Sequence, residues 1–534
     1  MTDPADAPLS ADEVLALAWR FEPVLRFTEG ELFLPMKAED YVRGAALYRR
    51  VSGAKEPKVV IPAGELDADR LAAYADAHPG DRLELHFVDE PLDRKAYKQW
   101  RRRPDRAVFK GRSRFAAVGL LGRLVDAFLR FSLVIRGKVP GGFAAAAEIN
   151  YQASGAAGRP AYHVRASRDA GYLVLQYWFC YAMNDWRSTF SGVNDHEADW
   201  EQITLFLIEP DPGADGGPSA GPQLAWVAFS SHDEVGDDLR RRVDDPDLQL
   251  VDGTHPVVYA GAGSHSGAYL PGDYIVSVAP PAVDRWVSRW YKVMGFLLPW
   301  TRGEEQVGIG IPFIDYRRGD GRAVGPGTDL PWTPVVIDDD TPWVASYRGL
   351  WGYDTRDPFG GERAPAGPRY ERNASVRPSW DRPVAWAGLD KVPPTGAAAR
   401  AALARRADEI DAELAQAQTQ LEARIEELRT AHEGSRAVRA RGTRHETAAE
   451  VAAQEAVDAA RAQVAALRAE RDAVVAAVER GGLPPDPVHA HLRHRTLPDV
   501  DEGKPVNAVM RLWSSISVSV LLIGLAAVLF FELD

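Results

Sequence analysis

The sequence predicts a mainly β protein: a two-layer, β-sandwich-like domain, then an α-helical coiled coil and one C-terminal transmembrane helix. Before about residue 394, short apolar runs rich in aromatic and β-branched residues alternate with Gly, Pro and Asp turns, which is typical of strands. From Ala397 the composition changes to Ala, Glu, Arg, Gln and Leu. Near the end, Leu512 to Phe531 contain no charged residue.

Composition excludes several classes of protein. The net charge of −13 over 534 residues argues against nucleic-acid binding, which needs a basic surface. The single cysteine, Cys180, suits a reducing compartment and excludes a Cys-rich zinc module. Met1 to Pro8 lack the features of a secretory signal peptide, and the heavy use of Ala, Arg, Gly and Asp suggests a bacterial source with a GC-rich genome.

Four runs in the first domain, which is predicted to cover residues 1–394, are expected to be strands. They are Tyr172 to Met183, Trp200 to Ile208, Leu224 to Ser230 and Pro256 to Ala260. Alternate residues of the first run share a face, and both of its faces are largely apolar. The run is therefore expected to be a central strand between two layers.

Residues 395–480 are predicted to form a coiled coil or a helical hairpin. Apolar residues alternate at spacings of three and four from Leu403 to Leu428, and a second seam runs from Val457 to Val478. Gly434 and Gly442 lie between the seams. The helices could fold back on each other, pair with another subunit, or pack singly on the first domain. Five prolines indicate a spacer over residues 481–511.

The twenty residues from Leu512 to Phe531 match the length that an α-helix needs to cross a bilayer. Lys504 and Arg511 precede this segment, whereas Glu532 and Asp534 follow it. The charge bias predicts a single-pass, tail-anchored protein whose N-terminal bulk is cytoplasmic. A buried core helix is the alternative.

A basic and apolar insertion is predicted at about residues 94–137. Ten Lys and Arg residues lie between Arg94 and Arg114 against one acid, Asp105, and an amphipathic stripe continues to Ile135. Contact of Arg94 to Ile135 with anionic lipid is one hypothesis. A solvated charge run beside a core-facing helix is the other.

Imidazole and carboxylate groups concentrate around Trp200. His196, Asp199 and Glu201 lie within six positions, Asp199 and Glu201 would share a strand face, and Asp185 ends the preceding strand. Such an oxygen-rich set suits a divalent cation, with Mg²⁺ or Ca²⁺ favoured over Zn²⁺. Surface ion pairs are the alternative interpretation of the same residues.

Three further histidines, His232, His255 and His265, lie at predicted strand boundaries, where functional side chains are often mounted. Backbone capping in turns would account for them equally well. His232 and His265 are the candidates for a catalytic proton shuttle.

A series of ordered motifs resembles the vacuolar protein sorting-associated protein 62 family. The motifs are YWFCYAMND, HEADWE, AFSSHDE, GTHPVVYAGAGSHSGAY and RGLWGYD, and the resemblance covers about residues 18 to 390. Ala198 stands where that family usually has a glycine, a change that matters if the backbone there needs a positive φ. The insertion, coiled coil and tail lie outside the pattern.

The HEADWE segment is also similar to the signature heptad of necrosis-inducing cytolysins, which are β-sandwich proteins that hold a divalent cation and bind lipid headgroups. This resemblance implies that His196, Asp199 and Glu201 surround an ion, with Asp185 as a further acidic ligand. It implies no reaction.

Three functions follow as hypotheses. The first is a membrane-tethered module that uses a cation to bind a lipid headgroup, glycan or protein partner in membrane organisation or trafficking, with possible self-association through the coiled coil. The second is a metal-dependent hydrolase at the membrane surface. The third is a structural adaptor without an ion site.

Overall fold

A computed structural model describes residues 9–51, 56–109, 142–190, 195–209, 221–230, 239–278, 311–354, 363–439 and 448–480. These residues form two compact units, and the boundary between them falls between Gly388 and Leu389. Each unit has its own secondary structure and is described separately below.

The first unit contains both helices and strands. Its helices are α1 (Ala11–Arg20), α2 (Ala38–Gly44), α3 (Ala68–Ala77), α4 (Arg94–Arg101), α5 (Gly142–Ala153), α6 (Trp186–Phe190), α7 (Pro342–Ser346), α8 (Pro378–Asp381) and α9 (Pro383–Trp386). Its strands are β1 (Val24–Arg26), β2 (Ala46–Arg50), β3 (Lys58–Ile61), β4 (Arg82–His86), β5 (Ala161–Asp169), β6 (Tyr172–Asn184), β7 (His196–Ile208), β8 (Gln223–Phe229), β9 (Arg240–Arg242), β10 (Leu250–Val251), β11 (His255–Ala260), β12 (Gly267–Ala268), β13 (Gly272–Val278), β14 (Ile311–Arg317), β15 (Ala323–Val324) and β16 (Thr333–Val336).

The largest sheet of the described residues has six strands in the order β16-β5-β6-β7-β8-β9. All of its pairs are antiparallel except β16 with β5. Every residue of β6 is buried, so this strand is covered on both faces, as its sequence predicts. The four strands expected from the apolar runs are present as β6, β7, β8 and β11.

Three smaller sheets are also present among the described residues of the first unit. One has the strand order β10-β11-β1-β15, with β12 also paired to β11. The second is the hairpin β13-β14, and the third has the order β3-β2-β4. In the first of these, β1 lies parallel to β11, although more than two hundred residues separate them, as the pairing of Val24 with Val257 shows. The N-terminal segment is therefore part of the same core as the central motifs.

The prediction of a mainly β, two-layer sandwich is wrong, because the first unit combines its sheets with many helices and is a mixed α and β fold. The missed helices are short, and three of them begin at side-chain caps rather than in long periodic runs. Ser10 forms a capping box with Glu13 at the start of α1, and Asp67 and Asp93 cap α3 and α4. Helix α4 lies inside the predicted basic insertion, and the remainder of that insertion, from residue 110 to 137, is outside the described residues.

The prediction of a tail-anchored, single-pass membrane protein with a cytoplasmic bulk is also wrong on the structural finding. Within the part of the chain that the structure describes, no helix combines the length and the apolar character needed to cross a membrane. The charge-free segment Leu512 to Phe531 and the Pro-rich spacer lie outside the described residues.

The second unit is a pair of long helices, α10 (Gly396–Arg439) and α11 (Ala448–Glu479). Their contacts run in opposite directions along the chain: Arg406 bonds to Glu470, and His432 bonds to Glu450. The helices are therefore antiparallel and form an intramolecular hairpin, one of the arrangements that the sequence left open. Arg471, which interrupts the second apolar seam, pairs with Asp411 of the opposite helix.

Candidate functional site

The pairing of β6 with β7 positions the acidic residues around Trp200. Tyr181 lies opposite Asp199, and Phe179 lies opposite Glu201. Both carboxylate side chains are almost completely buried. Asp199 Oδ2 accepts hydrogen bonds from His265 Nδ1 at 3.0 Å and from Asn184 Nδ2 at 3.2 Å. Glu201 Oε2 accepts one from the Ser230 hydroxyl at 3.1 Å.

His196 does not point into this group of acids. Its Nδ1 donates to the backbone carbonyl oxygen of Ala198 at 2.7 Å, so the ring turns back on its own strand. Burial lowers the pKa of His196 below its ordinary value, although the charge of Asp199 opposes that shift. His196 is therefore a neutral imidazole bonded to backbone, whereas the sequence left metal binding and surface ion pairs as its alternatives.

Asp185 lies just after β6 and is fully buried. Neither of its carboxylate oxygens makes a hydrogen bond of good geometry among the described residues. Burial raises the pKa of Asp185 well above its ordinary value, the negative charge of Glu31 adds to the rise, and an interaction with the Thr189 side chain offsets part of it. An unsatisfied buried carboxylate is costly, so Asp185 needs a proton or a cation.

His265 is the only described imidazole that bridges two acids of this cluster. Its Nδ1 meets Asp199, and its Nε2 lies 3.5 Å from Glu31 Oε1. The ring stacks on Tyr181, with centroids 3.7 Å apart and planes 5° from parallel. Burial disfavours the charged ring, but the two carboxylates outweigh burial and raise the pKa of His265 to about 10. His265 is therefore an imidazolium at neutral pH.

Glu31 comes from the segment between β1 and α2 and closes the cluster from the other side. Its Oε1 accepts the backbone N–H groups of Leu32 and Phe33 at 2.9 and 3.1 Å, and its Oε2 accepts that of Gly263 at 2.9 Å. Burial raises its pKa, but the charge of His265 and these hydrogen bonds hold the pKa below its ordinary value. Glu31 is therefore a carboxylate.

Gly263 allows Glu31 and Asp185 to approach the loop that carries His265. Its φ is +69°, and a Cβ atom there would lie 2.8 Å from Asp185 Oδ1 and 2.7 Å from the backbone nitrogen of Trp186. Only glycine fits this position without displacing Asp185. We call Glu31, Asp185, Asp199, Glu201 and His265 the acidic cluster.

The loop that carries His265 is held by an adjacent polar network. Asp315 of β14 accepts hydrogen bonds from the hydroxyls of Ser264 and Ser266 at 3.0 and 2.9 Å, and from Arg317 Nε at 2.8 Å. All four side chains are buried. Because the two serines flank His265, whose φ is +55°, Asp315 fixes an unusual backbone conformation on both sides of the imidazole.

Ala198 separates the acidic residues of β7. Its φ is +52°, which is rare for a residue with a side chain. Glu197 accepts the backbone N–H groups of Val88 at 2.6 Å and Tyr353 at 2.7 Å, next to Trp351, which also contacts Trp200. Burial raises the pKa of Glu197 to about 7 against these hydrogen bonds. Glu197 thus joins peripheral loops to β7 and is not part of the acidic cluster.

The structure brings only some of the predicted metal ligands close together. Asp199 and Glu201 follow the predicted strand geometry and Asp185 lies in the same cluster, whereas His196 faces away. Among the described residues, no three His, Cys, Asp or Glu side chains are arranged so that they could hold a metal ion as they stand. His255 Nδ1 bonds to the carbonyl oxygen of Glu22 at 2.9 Å, which is a backbone contact, and His232 lies outside the described residues.

Comparisons with models of protein families, with curated proteins and with solved structures found no match. The resemblance to the vacuolar protein sorting-associated protein 62 family and to the cytolysin heptad therefore stays a prediction that rests on the motif residues.

Replacing Ala198 by glycine tests the strain in β7. A left-handed conformation costs a residue with a side chain about 1–2 kcal/mol, part of which the greater chain entropy of glycine cancels. We expect the free energy of unfolding of Ala198→Gly to rise by up to about 1 kcal/mol in denaturant titrations. The matched control is Ala182→Gly on β6, which should lose about 0.5–1 kcal/mol. If both variants lost the same free energy of unfolding, the backbone at Ala198 would not be strained.

Replacing Asp315 by asparagine tests the network that holds the His265 loop. Arg317 would keep its buried charge without a partner, so we expect a loss of about 3–5 kcal/mol in the free energy of unfolding. Asp273→Asn is the control, because Asp273 pairs with Arg318 at 2.7 Å on the same hairpin but is partly exposed, and it should lose about 0–1 kcal/mol.

A local measurement separates this effect from general destabilisation. In folded Asp315→Asn, the imidazole proton resonances of His265 should shift as the ring leaves Tyr181, whereas those of His255 should not move. Unchanged His265 resonances would show that Asp315 does not position the ring.

Proposed function

We propose that the acidic cluster binds a divalent cation and that the first unit is a cation-dependent binding module. The observation that carries this proposal is Asp185, a fully buried carboxylate whose two oxygens make no hydrogen bond of good geometry among the described residues. Such groups are rare in native proteins, and a bound ion is one way in which they are stabilised.

The charges around Asp185 support a bound cation. The imidazolium of His265 lies between Glu31 and Asp199, and the negative charge of Glu31 raises the pKa of Asp185. A buried carboxylate beside a second carboxylate is stable as an anion only when its charge is offset. A divalent cation would supply the missing charge, and carboxylate oxygens favour Mg²⁺ or Ca²⁺ over Zn²⁺.

The residues that would hold the ion are Asp185, Glu31 and Asp199. Glu31 and Asp185 both approach Gly263, and Glu31 and Asp199 both approach His265. Because these side chains do not converge on one point as they stand, ion binding requires rotation of side chains. His196 is not included, since its ring bonds to its own strand.

A hard cation in such a cluster would bind ligands that carry oxygen, such as the phosphate of a headgroup or the hydroxyls of a glycan. The cytolysin resemblance supports this chemistry. The hydrolase hypothesis gains no support from His265, because its ring is fully buried and both nitrogens face carboxylates. Binding is thus the function that the site supports best.

Metal analysis of the full-length protein tests the proposal. Protein purified without chelator should contain Mg²⁺ or Ca²⁺, and its midpoint of thermal unfolding should fall after dialysis against EDTA and recover when the ion is added back. At about 100 times the dissociation constant, a bound ligand stabilises the folded state by about 2.7 kcal/mol. Asp185→Asn should lose both the bound ion and the response to EDTA.

Glu84→Gln is the matched control. Glu84 is also buried, but Arg50 Nη2 donates to its Oε2 at 2.9 Å, so its charge is already balanced. This variant should keep the ion. If the wild-type protein holds no metal and melts identically with and without EDTA, Asp185 is simply protonated and the proposal is wrong.

A further inference from the structure

A pocket of the first unit lies between the three-stranded sheet β3-β2-β4 and the C-terminal end of α5. Its volume is about 610 Å³, which is within the usual range for small-molecule sites. The residues that line it do not belong to the acidic cluster, so the pocket is a separate feature of the fold. Its apolar lining consists of small and medium-sized side chains, which are Ala46, Val59, Pro62, Ala63 and Ala153.

Aromatic rings form another part of the pocket wall. Tyr48 of β2 and His86 of β4 both line it, and their rings stack with centroids 3.9 Å apart and planes 17° from parallel. Phe87, the residue after His86, lines the pocket as well. Apolar and aromatic walls of this kind suit the flat, apolar body of a small organic molecule.

A buried carboxylate orients His86. Its Nε2 lies 3.4 Å from Glu84 Oε2. Burial raises the pKa of Glu84, but hydrogen bonds from His86 and Arg50 hold that pKa below its ordinary value. Because a carboxylate only accepts hydrogen bonds, Nε2 carries the proton, and Nδ1 of the neutral ring is an acceptor. Nδ1 makes no hydrogen bond among the described residues and is not fully buried.

Two further polar groups of the lining present acceptors. Asn150 Nδ2 donates to the carbonyl oxygen of Phe87 at 2.8 Å, which leaves Oδ1 of that amide as an acceptor. Asp89 is exposed, and no Lys, Arg or His side chain pairs with it among the described residues. The loop that carries Asp89 is fixed, because Glu197 accepts the N–H of the preceding residue, Val88, at 2.6 Å.

The polar lining is therefore rich in acceptors and negatively charged. Asp89 contributes a carboxylate, whereas the described lining contains no Lys or Arg. Burial raises the pKa of Tyr48, and the negative charge of Asp89 raises it further, so this carboxylate lies close to the aromatic wall. The ligand that complements such a pocket carries a positive charge and N–H donors beside an apolar ring.

We propose that this pocket binds a small organic cation, in which a short chain joins an ammonium group to a planar apolar ring. Asp89 offsets the charge of the ammonium group. Asn150 Oδ1 and His86 Nδ1 supply acceptors for its N–H groups. The ring packs on Tyr48 and on the apolar lining.

Three probes that share an indole ring and a two-carbon chain test this inference on the full-length protein. Tryptamine carries an ammonium group, tryptophol a hydroxyl group and indolepropionate a carboxylate. In ligand-observed NMR titrations we expect tryptamine to bind with a dissociation constant of about 1 mM or lower. It should bind roughly fivefold more tightly than tryptophol, and indolepropionate more weakly than both. Asp89→Asn should remove the advantage of tryptamine and leave the affinity for tryptophol unchanged.

Glu90→Gln is the matched control, because Glu90 is the next residue, is also exposed and does not line the pocket. This variant should bind tryptamine as the wild-type protein does. Ala153→Phe places a large side chain in the lining and should weaken the binding of tryptamine and tryptophol alike. Equal affinities of the wild-type protein for these two probes, equal losses in Asp89→Asn and Glu90→Gln, or unchanged binding in Ala153→Phe would overturn the inference. A wild-type protein that binds none of the probes at millimolar concentration would overturn it as well.

Discussion

The antiparallel pairing of β6 with β7 is the interaction on which the first unit depends. Each strand has thirteen residues, and nearly all of them are buried. One set of their side chains packs on a layer of tryptophans that includes Trp351 and Trp380, and the other meets the acidic cluster. Because the register sets which residues face which layer, a shift of one position would exchange an indole for a carboxylate. Core stability and placement of the acidic groups are thus properties of the same strand pair.

Within the acidic cluster, neighbouring groups stabilise the negative charge of some carboxylates more than that of others. His265 offsets part of the charge of Glu31 and Asp199, and backbone N–H groups stabilise Glu31 further. Asp185 lies beside the same loop, but neither of its oxygens makes a hydrogen bond of good geometry among the described residues. This arrangement is unfavourable in free energy, and interactions elsewhere in the fold compensate for it. The hydrogen bonds of Asp315, which hold the loop, are among them.

Local sequence signals predicted local structure well and long-range structure poorly. The apolar runs were sufficient to predict the strands β6, β7, β8 and β11. The spacing of Asp199 and Glu201 predicted that both carboxylates lie on one face of a strand, and both are buried. Glu31 and Asp315 lie more than one hundred residues from Asp199, so no spacing could connect them to it. The capped helices were missed because each is short, although the Ser10–Glu13 capping box is a recognisable signal.

The left-handed conformation of Ala198 has an electrostatic consequence. In a regular strand, side chains two positions apart point the same way, so Glu197 would join Asp199 and Glu201 in one buried compartment. The contacts instead place Glu197 beside Tyr353 and Asp199 beside His265. One unusual backbone torsion thus divides three alternate acids of β7 between two environments, one that anchors loops and one that contains the acidic cluster. The backbone conformation at Ala198, and not the identity of the acidic residues, thus determines which surroundings each carboxylate enters.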